Sequence, residues 1–211
     1  MKKLLCLKLA LLTGSLCAQT PGPVVQWNRT LLSLLRTPGA QPGTVHPTRS
    51  LAVLHLAIYD AVNSIDQSHA PYKVLLPGVM PGASQDAAAD AAAHEALIAL
   101  YPAFQTLLDS EYQQLLALIP DGASKDEGVR VGIAVADQIL QLRANDGSGV
   151  VPPPFVPGSA PGDYQVTPPN FPAPVFTHWS KVTPFALTLA SQVRPGPPPA
   201  LTSQAYHGRL Q

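Results

Sequence analysis

Apolar residues recur at helical spacing through the first two thirds of the chain. Trp27, Leu31, Leu34 and Leu35 stand at i, i+4, i+7 and i+8, one stripe that predicts a helix over 25–36, closed by a Thr-Pro-Gly-Ala-Gln-Pro-Gly stretch. Behind Pro47 a second helix is predicted over 48–65. Its run from Leu51 to Val62 leaves almost no polar face, so it is expected to be buried among other helices. A third helix is predicted over 84–101, with Ser84 as N-cap and Asp86 and Asp90 suiting its positive end. Its eight alanines between 87 and 99 favour helix and leave room for a close neighbour. Pro102 separates it from a fourth helix over 103–119. There Phe104, Leu107, Leu108, Leu115, Leu116 and Ile119 are expected on the buried side, with Asp109, Gln113 and Gln114 opposite. The fifth helix opens on Ser124 and Glu127, which have the spacing of a capping box. Val129, Ile133, Ala136 and Leu140 form its predicted core stripe. Arg143 complements its C-terminal dipole, and Asn-Asp-Gly at 145–147 ends it.

Past residue 146 the pattern stops. Fourteen of the 24 prolines lie between Pro152 and Pro199, and no helix of ordinary length fits between them, because an interior proline removes a donor and clashes with the preceding turn. No comparable strand alternation is present. The expected fold is all-α, a bundle of about five helices over 19–146 followed by a proline-rich extended connector over 147–211.

The first 18 residues read as a signal peptide. Lys2 and Lys3 precede an apolar run from Leu4 to Leu12, and Ala18 offers a cleavage position. The run is short of the roughly 20 residues that a spanning helix needs, so an exported chain with no integral membrane span after signal removal is expected. Cys6 and Cys17 both fall in this leader, which leaves the mature chain without a thiol, disulfide or thiolate metal site. Charge is sparse at 12 % and balanced, with 13 basic against 13 acidic side chains, and no basic stripe suggests nucleic acid.

Candidate chemistry is thin. No Gly-x-Ser-x-Gly elbow positions a serine nucleophile. His46, His55, His69, His94, His178 and His207 are scattered, without the spacing of a zinc site. His94 and Glu95 are adjacent and so point to different parts of a helix surface, and His55 and Asp60, five apart, align poorly. His55, among apolar neighbours, reads as a hydrogen-bonded core residue. No residue is assigned a catalytic, cofactor-binding or metal-binding role.

Four stretches in order carry a resemblance. They are "VVQWNRTLLSLLRTPGAQPGTVHPTRSLAVLHLAIYDAVNSID", "AAADAAAHEALIALYP", "VGIAVADQILQLRANDG" and "DYQVTPPNFPAPVFTHWSKVTPFALTLASQVRPGPPPALTSQAYH". Together they resemble the N-terminal helical region of bacterial vanadium-dependent haloperoxidase-like proteins in the type 2 phosphatidic acid phosphatase (PAP2) superfamily. The most specific pieces are the R-S-x-A-x-x-H-x-A-x-Y-D-A pattern at 49–61 and the W-x-x-V-x-P-F patch at 179–185.

That resemblance implies an α-helical protein that binds a tetrahedral oxyanion, vanadate in the haloperoxidases and the substrate phosphate in the phosphatases. The family's ligands come from K-x6-R-P, P-S-G-H and S-R-x5-H motifs, whose Lys and Arg neutralise the oxyanion while histidines bond to it or move protons. None of the three is present. Arg194-Pro195 imitates the first, but Leu187 stands where its lysine is required and Lys181 is thirteen residues away. His55, His178 and His207 are not promoted in their place. The expectation is a truncated N-terminal part of such a protein, without activity alone, whose partner is the missing catalytic half or a second copy. The alternative is a stand-alone exported helical binding or interaction protein. On either reading, the apolar 51–62 helix predicts an exposed hydrophobic patch.

Overall fold

The computed structural model describes residues 21–207, so the leader with Cys6 and Cys17 lies outside the described residues. Six helices and no strand occur among them, the all-α architecture expected from the periodicity. The helices are α1 (Pro23–Arg36), α2 (His46–Asp66), α3 (Gln85–Leu100), α4 (Gln105–Leu116), α5 (Ala123–Arg143) and a short α6 (Gln204–His207). Single 3-10 turns stand at Pro102–Phe104 and Trp179–Lys181. Proline in the first turn opens both α1 and α2, where its missing N–H costs nothing. Ser84 caps α3 as predicted, its hydroxyl oxygen accepting from Ala87 N at 3.1 Å.

α3 is the central element. One of its faces carries Ala88, Ala92 and Ala96 against Val53, Ala57 and Ala61 of α2 and Val131, Val135, Ala136 and Ile139 of α5. Its other face sets Ala89, Ala93 and Leu97 against Trp27, Leu31 and Leu34 of α1, Leu54 and Ile58 of α2, and Leu108 of α4. Small side chains on α3 let its neighbours approach, and the seam with α5 is the closest. A Cβ on Gly128 would overlap the Ser84 carbonyl oxygen, and one on Gly132 would overlap that of Ala88. The two helices run in the same direction here, because successive turns of α5 meet successive turns of α3.

This seam corrects the predicted stripe of α5. Ile133 is exposed, Val129 and Leu140 are half-buried, and only Ala136 of the four is buried. The helix is rotated so that Gly128 and Gly132 face inward, and a glycine carries no hydropathy to betray it. The predicted capping box is also absent. Gly122 is the N-cap, with a φ of 139° that suits glycine. Ser124 Oγ instead donates to Gly82 O at 2.7 Å, and Glu127 accepts from Met80 N at 3.1 Å while pairing with Arg130. Both side chains fasten the 80–84 turn to α5.

Three further expectations change. Leu107 is exposed, and α4 packs chiefly through Leu108, while Asp109 reaches across to His94. Asp90 does not serve the N-terminal dipole; it is buried and accepts from Trp27 Nε1 at 2.8 Å. α2 is not covered all round, since Tyr59 is exposed and Leu56 and Val62 are only half-buried.

After α5 the chain runs in extended and turn conformations, with the 3-10 turn at Trp179–Lys181, as far as α6, which begins at Gln204. Much of this stretch is solvated: Val151, Val156 and Val175 are 90 %, 81 % and 67 % exposed.

Candidate functional site

The densest polar arrangement lies where the extended segment docks on the bundle. Asp146, just past the end of α5, is buried, and both of its carboxylate oxygens are engaged. Oδ2 accepts from Arg49 Nε at 2.8 Å and from Arg143 Nε at 3.1 Å, with Arg143 Nη2 at 2.8 Å. Oδ1 accepts from Ser148 N at 3.0 Å. Burial works to raise the Asp146 carboxyl, but hydrogen bonds from Ser148 and the Arg49 guanidinium outweigh it and hold its pKa below the usual carboxylate value.

The arginines carry the docking onward. Arg49 Nη2 donates to Arg143 O at 3.0 Å, and Arg143 Nη2 donates to Thr183 O at 2.6 Å. Thr183 N returns a bond to Asp146 O at 2.8 Å. The Arg143 guanidinium also lies over the Phe185 ring, 3.8 Å from its centroid, and Tyr72 Oη donates to Phe185 O at 2.8 Å. Arg143 therefore does not merely face the α5 dipole, as the sequence suggested; it is the buried link between α5 and 183–185. The R-S-x-A pattern at 49–61 and the W-x-x-V-x-P-F patch at 179–185 meet at this junction. Asp146 itself was missed, because its partner Arg49 is 97 residues away and nothing local announces the pairing.

Beside the junction sits an aromatic cluster. The His46 ring lies 4.8 Å from Phe176 and 4.9 Å from Trp179, centroid to centroid, and His178 lies 5.9 Å from Trp179. Nδ1 of His46 and of His178 are buried with no hydrogen-bond partner. Burial, Arg49 and His178 together lower the His46 pKa.

The other histidines are apart from this group. His55 forms a hydrogen bond through Nε2 with Asn28 Oδ1 at 3.0 Å, and burial lowers its pKa. His94 is buried, bonded through Nε2 to Asp109 Oδ1 at 2.7 Å, stacked 4.3 Å from the Tyr112 ring, with Nδ1 3.5 Å from Glu95 Oε1. His94 and Glu95 thus stand closer than their adjacency on a helix suggested, yet no hydrogen bond joins them. His69 bonds Ser68 through Nδ1, and its backbone N–H and C=O both pair with the Asn63 amide. Asp60 has no part with His55. Its carboxylate accepts from Tyr72 N, Lys73 N and Val74 N at 2.6, 3.0 and 2.8 Å. His207 closes α6, away from the junction in sequence. Among the described residues no group of three His, Cys, Asp or Glu is placed to hold a metal ion, and no helix is long and apolar enough to cross a membrane.

Two of the open cavities lie on the bundle away from the junction. A groove of about 560 Å³ on the uncovered side of α2 is lined by Val24, His55, Leu56, Ile58, Tyr59 and Val62, with Asn63, Asp66 and His69 at its polar end. A larger, more polar cleft of about 960 Å³ separates α1 from α4, where Glu111 accepts from Gln26 Nε2 and Thr30 Oγ1.

At the junction the residues do not fit a tetrahedral oxyanion. The guanidinium groups are committed to Asp146 and to carbonyl oxygens, and an anion there would meet the Asp146 carboxylate. What the arrangement can do chemically is hold the extended segment in place. Comparison of the chain with protein-family models, with curated proteins and with solved structures returned no match.

Proposed function

We propose that this chain is the helical, non-catalytic part of an exported protein like the vanadium haloperoxidases and PAP2 phosphatases, acting as scaffold with no oxyanion chemistry of its own. The observation that carries this reading is the junction at Asp146. The two stretches most specific to the resemblance, 49–61 and 179–185, converge there, and the guanidinium groups of Arg49 and Arg143 are spent on fastening the segment to the bundle. A guanidinium fork that served an oxyanion would have to stay free to turn towards it.

The test has two arms. Purified chain supplied with vanadate, bromide and peroxide, or with a phosphate monoester, is expected to show no turnover; turnover would overturn the scaffold reading. The DNA following the Gln211 codon, read in all three frames, is expected to encode K-x6-R-P, P-S-G-H and S-R-x5-H in that order.

A second reading is favoured by the α2 groove. Its lining is largely apolar, with a few polar groups at one end, the character of a small-ligand or partner site. On that reading the chain is a stand-alone exported binding protein. Absence of all three motifs from the downstream DNA would select it over the first.

A further inference from the structure

We propose that the cleft between α1 and α4 binds a free α-amino acid with an apolar side chain, its ammonium on Glu111, its carboxylate on Arg29 and its side chain along Leu107 and Phe104. The cleft shares no lining residue with the Asp146 junction or with the α2 groove, so the site stands whether the chain is a scaffold or a binding protein.

Glu111 is a half-buried carboxylate set in place by neutral groups. Gln26 Nε2 donates to its Oε1 at 2.9 Å, and the hydroxyl of buried Thr30 lies 2.7 and 2.8 Å from its two oxygens. These donors orient the group but leave its charge unmatched, and a carboxylate has about four lone-pair sites to share. Among the described residues no cation pairs with it. The field there is negative, since Asp86 and Glu111 both push up the pKa of buried Asp90. A cationic group is therefore favoured at this end of the cleft.

The cation that lines the cleft is Arg29, on the opposite wall and next to Thr30. It is exposed, and among the described residues no hydrogen bond or ion pair engages its guanidinium. One cleft thus holds a carboxylate without a cation and a cation without a carboxylate, not joined to each other. A plain amine would leave Arg29 unmatched, a plain acid would leave Glu111 unmatched, and a neutral saccharide would match neither. An α-amino acid carries both charges on one carbon, and its carboxylate suits the guanidinium fork.

The side chain has a place as well. Past Thr30 the α1 wall continues to Leu34 and Thr37, and the α4 wall runs back from Glu111 to Leu107 and Phe104. Leu107 is 52 % exposed, because α4 packs through Leu108 instead. An apolar side chain laid against Leu107 removes that surface from water. The volume of about 960 Å³ admits any of the apolar amino acids.

Nuclear magnetic resonance titration of the purified, isotope-labelled full chain at pH 7 tests the site, with L-leucine, leucinamide and N-acetyl-leucine as probes. Leucinamide keeps the ammonium and lacks the carboxylate; N-acetyl-leucine is the reverse. Leucine is expected to shift the amide signals of Arg29, Thr30 and Glu111 saturably. The Trp27 indole signal should move with them, since its N–H bonds Asp90, while that of Trp179 stays in place. Each analogue is expected to bind about tenfold or more weakly than leucine, the loss of one charge-assisted contact. R29Q should weaken leucine to the level of leucinamide and leave leucinamide unchanged, and E111Q should do the same with respect to N-acetyl-leucine. No saturable shift with leucine up to about 10 mM would overturn the proposal, as would either analogue binding as tightly as leucine. If E111Q disturbs the α1–α4 contact, seen in its amide spectrum without ligand, the two analogues on the natural chain decide.

Discussion

Two buried carboxylates set the energetics at the scale of single residues, with opposite characters. Asp90 is 2 % exposed, and its pKa is pushed up to about 6 by burial, against the pull of the Trp27 N–H and with the push of Asp86 and Glu111. Its folded value lies above the unfolded one, near 3.9. Stability is therefore undiminished below that unfolded value and declines as pH rises to about 6, where the deficit reaches about 3 kcal/mol. D90N keeps an acceptor for Trp27 without the charge. Urea midpoints measured from pH 4 to 7 are expected to decline in the natural chain and to stay flat on this account in D90N; an identical decline in both would sink the assignment. Asp60 has a different task, as the acceptor for the three main-chain N–H groups of Tyr72, Lys73 and Val74. D60A orphans all three and is expected to cost about 3 kcal/mol or more in unfolding free energy, measured by chemical denaturation at pH 7.

Helices as elements were largely legible in the sequence, and their rotations were not. Periodicity located α1 to α5 to within a few residues, and Ser84 marked the start of α3 by its cap. What periodicity cannot see is a seam built on absence. Gly128 and Gly132 contribute no apolar signal, so the stripe of α5 was read through Val129 and Ile133, and the side facing α3 was missed. The capping box failed for a related reason: Ser124 and Glu127 have the right spacing, but the 80–84 turn competes for both side chains. The seam yields a prediction of its own. G132V places a branched side chain against the Ala88 carbonyl and Ala91 Cβ, and overpacking of this kind costs about 1–3 kcal/mol. I133V, on the exposed face of the same helix, should change the denaturation midpoint little. Equal effects of the two would place the seam elsewhere.

Taken whole, the molecule is a bundle with a long strap fastened at the Asp146 junction and at the aromatic cluster beside it. The strap was legible as proline content, but its anchor was not, because Arg49, Arg143 and Asp146 meet only after folding. Between the anchor and α6 the segment is highly exposed at Val151, Val156, Val175 and Val193. Such stretches open and are cut first. Brief thermolysin digestion is expected to cleave at 150–175 or 187–201 while α1 to α5 remain intact by mass spectrometry; early cleavage inside α3 would contradict this picture.

The Asp60 carboxylate has a last consequence, for how this sequence is free to drift. It grips N–H groups that every residue but one carries, and so is indifferent to the side chains at 72, 73 and 74. As far as this grip goes, only proline is refused at the three positions; what restricts Tyr72 and Val74 is the Phe185 carbonyl and the core, and Lys73 is left the freest to change.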